Sequence, residues 1–167
     1  MVDLDVIKRW PGKSGDDFGA EHPALYHMLD VAAVAERLLE PVRMDTALQH
    51  ALVLLSALHD LGKLNTGFRS MLRGEGRQTY RHWELTEVHL NANMPLLSSA
   101  LRPDRENRLP PLIGATAGHH GRPSTLDQRK LGQAARTLTG EAKADAQDTI
   151  TAFAALWPEA ALTDRKR

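Results

Sequence analysis

The chain contains no cysteine. Disulfides, thiolate zinc sites and a cysteine nucleophile are thereby excluded. Aromatic residues are scarce, at 5%, which leaves the core to Leu, Ala and Val. Neither sign of charge is in excess, with Lys plus Arg and Asp plus Glu at 21 each. Nucleic-acid binders usually carry a basic surplus, so the total charge gives such a reading no help. No stretch reaches the roughly 18 apolar residues that a membrane span requires. The opening Met1-Val2-Asp3-Leu4-Asp5 is acidic and lacks a signal-peptide pattern, so a cytosolic location (cytoplasmic, off the membrane) is expected. No nucleophile elbow, phosphate loop, dinucleotide fingerprint or H-E-x-x-H motif occurs, and Gly74-Glu75-Gly76 lacks the third glycine and the strand context of such a loop.

What is present fits one domain, 1–167, with a single core. Apolar spacing predicts helices over 25–40, 45–61, 66–72, 82–93, 110–119, 126–138 and 141–156. Residues 1–22, with Pro11, Gly12, Gly15 and Gly19, read as a loop-rich lead-in. No segment sustains period-two alternation, so the expected class is all-α. Arg69, Arg73, Arg77 and Arg81 recur at spacing four and would share a face if that segment were helical, with a solvated face the simpler reading.

Five histidines and one aspartate carry the chemistry: His27, the pair His59-Asp60, His82, and the pair His119-His120. Asp60 ends an apolar run, Ala51–Leu58, that belongs in a core. A buried ionised carboxylate is costly unless it is paired or metal-bound. Lys63 stands four residues after His59, on the same side of a helix if the helix continues. His119-His120 follows Leu112–Gly118, where small residues leave room for a ligand. Imidazole with carboxylate suits Mn, Fe, Co or Ni. Such ions hydrolyse phosphate esters by lowering the pKa of water and neutralising oxyanion charge. Taken singly, His27 reads as a satisfied core histidine and His59-Asp60 as a helix end. His22, His50 and His89 have no comparable setting.

The order H…HD…H…HH resembles the HD phosphohydrolase superfamily. The words Trp10–Ser14, Tyr26–Ala35, Ala57-Leu58-His59-Asp60-Leu61-Gly62-Lys63, Arg81-His82-Trp83-Glu84 and Gly118–Pro123 resemble, more narrowly, the HD nuclease domain of Cas3, the helicase-nuclease of type I CRISPR interference. The resemblance spans roughly 10–125. It implies an HD-domain helical bundle, C-terminally short relative to the family, that cuts single-stranded DNA with one or two divalent transition-metal ions. His27, His59 and Asp60 would serve the first ion. Asp60 would bridge to a second ion held with His82, His119 and His120, and Lys63 would stabilise the phosphate. The implied partners are single-stranded DNA, a Cas3 helicase module and the Cascade complex. The chain has no helicase motif. The family's last metal-ligand aspartate has no counterpart in context, although Asp145, Asp148 and Asp164 are available. The alternatives are a catalytically impaired binding or regulatory module or a truncated domain, acting through a CRISPR protein partner, and a nucleotide-directed phosphohydrolase. A missing core helix would leave the apolar faces of 25–40 and 45–61 partly uncovered and open to self-association.

Overall fold

The computed structural model describes residues 4–14, 21–121 and 127–163. It shows an all-α bundle with one minimal two-stranded ribbon. In chain order the elements are α1 (Leu4–Arg9), β1 (Pro11–Lys13), β2 (His22–Pro23), α2 (Ala24–Leu39), α3 (Thr46–Ala57), α4 (Thr66–Leu72), α5 (His82–Ala92), α6 (Met94–Leu101), α7 (Leu109–Ala117), α8 (Gln128–Ala135) and α9 (Gly140–Leu156). Short 3-10 turns lie at Leu61–Lys63 and Glu106–Arg108. The lead-in is therefore partly regular: β1 pairs antiparallel with β2, Pro11 opposite Pro23 and Lys13 opposite His22. Residues 1–3 and 15–20 of that lead-in, Leu126 of the helix expected over 126–138, Arg122, Pro123 and Asp164 lie outside the described residues.

Helix starts follow side-chain chemistry. Asp45 accepts from the Ala47 amide at 2.9 Å, Asn65 from Phe68 at 3.0 Å, Asp127 from Lys130 at 2.8 Å and Thr139 from Ala142 at 3.1 Å. Each satisfies one of the first-turn amides that a helix cannot bond internally. Glu84 reaches back to the Arg81 amide at 2.7 Å and fixes the start of α5. Two helices were not foreseen: α1, which falls in the expected loop-rich lead-in, and α6. Pro95 reads as a stop, yet it sits in the first turn of α6, where its missing N–H costs nothing. Asn93 ends α5 and begins α6.

The main core joins α2, α3, α6, α7 and α9 through Met28, Leu54, Leu58, Leu97, Leu101, Ile113, Ile150 and Phe153. A smaller cluster, Leu85, Val88, Ala134 and Leu138, packs α5 on α8. α2 and α3 pack closely, and α5 lies against the Leu61–Lys63 turn and α7. That arrangement gathers the start of α2, the end of α3, the start of α5 and the end of α7. The face expected to be uncovered is open: Val34 and Leu38 are 58% and 68% exposed. A groove of about 470 Å³ beside them, lined by Val31, Leu39, Leu52, Leu55 and Leu112, runs to His59 and His119. Among the described residues no helix is long and apolar enough to cross a membrane.

Candidate metal centre

Helix α3 stops at Ala57, four residues earlier than the pattern suggests. His59 and Asp60 therefore lie in the turn beyond it, and Lys63 ends the 3-10 turn that follows. It is this turn, rather than a continuous helix face, that brings Lys63 beside the carboxylate. The turn is pinned to α5 by one hydroxyl: Thr86 Oγ1 donates to the His59 carbonyl at 3.0 Å and accepts from the Gly62 amide at 2.9 Å. Gly62 is needed there. A Cβ at that position would stand 1.9 Å from the His82 carbonyl oxygen and 2.4 Å from the Thr86 nitrogen. Thr86 went unnoticed in the sequence, where it is an ordinary helical position, and Gly62 read only as a helix stop.

Asp60 is the hub, with 2% of its surface exposed. Its Oδ2 lies 3.1 Å from His27 Nε2, 3.2 Å from His59 Nε2 and 2.7 Å from Lys63 Nζ. Its Oδ1 lies 3.4 Å from His82 Nε2 and 3.3 Å from His119 Nε2. His120 joins through His82, their Nε2 atoms 2.9 Å apart. All seven residues singled out from the sequence are thus in one place. Six of them, all but Lys63, form two groups with ligand atoms within 4.8 Å of one another, His27-His59-Asp60 and His82-His119-His120.

The donor set fits a divalent cation better than it fits itself. His59 Nδ1 is 2.8 Å from the Ser56 carbonyl and His119 Nδ1 is 3.2 Å from that of Thr116. A carbonyl only accepts, so both Nδ1 atoms carry the proton and donate. In the neutral ring, each Nε2 then turns a lone pair toward the Asp60 carboxylate, as a metal ligand held by an outer carbonyl does. Asp60 Oδ1 is buried without a hydrogen bond. The imidazole contacts of 3.1–3.4 Å are longer than charge-assisted pairs, which close to about 2.8 Å. Burial pushes His82 down to about 4, and burial with the neighbouring His119 lowers His120. Rings that stay neutral at pH 7 bring lone pairs to the centre instead of charge. The second group is the better provided: Oδ1 has no ammonium, whereas Oδ2 already faces Lys63.

Asp145 is buried away from this cluster, accepting from Arg9 Nη1 and Trp10 Nε1, each at 2.7 Å. Asp148 is exposed on α9. Among the described residues no further carboxylate joins the first group. The four arginines do not share a face, because α4 ends at Leu72. Arg69 stacks over Trp10, Arg73 pairs with Glu21, and Arg77 and Arg81 lie exposed beyond the helix. Gly118 is the C-cap of α7, and Gly121 adopts φ 73° three residues beyond it. His89, treated as ordinary, is buried in α5 with Nε2 unpartnered.

A helical bundle with an H…HD…H…HH centre is the arrangement expected of an HD domain. The family model described as "Cas3, HD domain" matches residues 10–167, and the chain belongs to that family. Membership places it among the CRISPR-associated HD nuclease domains. No curated protein and no solved structure matches it.

Proposed function

We propose that this chain is a metal-dependent nuclease that cuts single-stranded DNA in type I CRISPR interference. The observation that supports this reading best is the buried Oδ1 of Asp60, which lacks a hydrogen bond while the Nε2 atoms of His82 and His119 stand 3.4 and 3.3 Å from it. His27, His59 and Asp60 would hold one ion, and Asp60 with His82, His119 and His120 a second. Mn, Fe, Co and Ni suit this mixed donor set. Bound ions would supply positive charge against the phosphate and lower the pKa of water.

The chain's own residues do the rest. The carbonyls of Ser56 and Thr116 orient His59 and His119. Thr86 holds the His59–Gly62 turn at a fixed distance from His82. Lys63 pairs with Oδ2 at 2.7 Å, and its ammonium would face a phosphodiester brought to the centre. Strand delivery by a helicase module and target selection by Cascade belong to the same proposal.

The decisive assay is cleavage of circular single-stranded DNA with Mn²⁺, Co²⁺ or Ni²⁺, beside an EDTA control and Asp60→Ala. Cleavage lost in both controls supports the reading. Hydrolysis of mononucleotides without cleavage of circles would support a nucleotide phosphohydrolase instead. The open groove beside α2 favours a second role alongside catalysis, association through Val34 and Leu38 with another copy or a CRISPR protein. Sedimentation that shows only monomer, alone and with Cascade, would remove it.

A further inference from the structure

Three tryptophans occur in the chain. Two are structural: Trp10 is fully buried with its Nε1 on Asp145, and Trp157 is 8% exposed with its Nε1 on Glu36. Trp83 differs. It is half-buried, belongs to neither apolar cluster, and its Nε1 makes no hydrogen bond among the described residues. Its indole instead lies 5.2 Å from the His120 ring and 5.3 Å from the His82 ring, centroid to centroid. The exposed Arg81 guanidinium stands over it, 5.8 Å from the ring centre.

A large apolar ring on the rim of a polar centre contributes little to a core. An indole paired with an arginine is the side-chain chemistry that holds an unpaired base, the ring by stacking and the guanidinium by cation–π attraction and phosphate contact. We propose that Trp83, with Arg81, is a positioning site for single-stranded nucleic acid, stacking one base so that the adjoining phosphodiester lies over His82, His120 and Asp60. His120 Nε2 is 2.9 Å from His82 Nε2, which is 3.4 Å from Asp60 Oδ1, so the indole is separated from the hub by a single layer of imidazole. A mononucleotide has no neighbouring base to place there, and a paired base presents no free face. The site therefore selects single strands over both. This inference rests on the nuclease reading for its biological meaning, but its test does not.

The test is binding in EDTA, where no cleavage occurs. A fluorescently labelled single strand of about ten nucleotides is compared with the same strand carrying abasic sites, at low salt because phosphate contacts weaken with salt. Wild-type protein is expected to bind the intact strand about tenfold tighter than the abasic one. Trp83→Phe should keep most of that preference, and Trp83→Ala should bind both strands equally. Circular dichroism confirms that each variant is folded. Intrinsic fluorescence gives a second readout: the intact strand quenches wild-type emission and leaves that of Trp83→Phe unchanged, since Trp10 and Trp157 are buried. Equal binding of both strands by wild type, no binding at all, or an undiminished preference in Trp83→Ala would each overturn the proposal. Stacking that behaves as described in a protein that cleaves no strand with any metal would overturn the nuclease reading alone.

Discussion

Two aspartates are buried among the described residues, and their surroundings are opposite. Asp145, 5% exposed, meets two strong donors at 2.7 Å, Arg9 and Trp10, and ties α9 to the N-terminal lead-in. Asp60, 2% exposed, meets one ammonium and four imidazole nitrogens at 3.1–3.4 Å, and one of its oxygens accepts no hydrogen bond. A structural carboxylate is satisfied by the protein itself. A carboxylate that remains unsatisfied among lone pairs leaves a place for a cation. The contrast separates fold from function within one chain, and substitution can test each half.

The largest expected effect is on activity. Asp60→Ala should lower metal-dependent cleavage by more than about 100-fold, since even groups that only orient metal ligands cost up to about that much. Its cost to the metal-free protein should be smaller than that of Asp145→Ala, because only Oδ2 is paired, with Lys63 at 2.7 Å, while Oδ1 accepts no hydrogen bond. Urea melts beside the cleavage assay check both parts, and a large loss of metal-free stability would place Asp60 with Asp145. For Asp145→Ala the order reverses. Stability should fall by about 3 kcal/mol, because Trp10 Nε1 loses its acceptor and Arg9 its closest partner. Any cleavage still seen should rise with metal as in wild type.

Metal itself should distinguish the two next. At an ion concentration of about 100 Kd, wild type and Asp145→Asn should each gain about 2.7 kcal/mol, and Asp60→Ala none. Thermal melts with and without Mn²⁺ read this directly. Gly62→Ala sharpens the comparison by leaving both aspartates in place. Its methyl meets the His82 carbonyl, so a loss of about 1–3 kcal/mol accompanied by weaker metal binding is expected. Loss of stability with metal affinity intact would show that the turn does not position the centre.

A further effect lies outside both aspartates and develops only gradually with pH. Burial pushes His89 down to about 4. The native state therefore favours its neutral form, and the unfolded chain takes up the proton first. Stability falls as pH drops from about 6.5 toward 4 and flattens below, by about 3 kcal/mol at most from this group. His89→Gln should flatten that part of the profile, as urea melts across the pH range would reveal.

The donor residues were legible in the sequence because metal ligation needs particular atoms. His27, His59, Asp60, His82, His119 and His120 are recognisable by type and order alone, and the structure gathers all six. Most helices were legible too, from the spacing of their apolar residues. Long-range contacts were not. Thr86 acts on residues 24 and 27 positions away. Asp145 is claimed by Arg9 and Trp10 across more than 130 residues, and no local pattern records that. The end of α3 was overrun because Leu58 and Leu61 continue the apolar period although the backbone has already turned. They are buried by the turn rather than by a helix. Helix α6 was hidden by Pro95, whose meaning depends on whether it falls inside a helix or in its first turn.

The most direct measurement is calorimetric titration of metal-stripped protein with Mn²⁺, run in parallel on Asp60→Ala and Asp145→Asn. Saturable binding of one or two ions by wild type and Asp145→Asn, absent from Asp60→Ala, is the result expected of a carboxylate buried to receive a cation. Wild type that takes up no ion, or Asp60→Ala that binds as well as wild type, would contradict it.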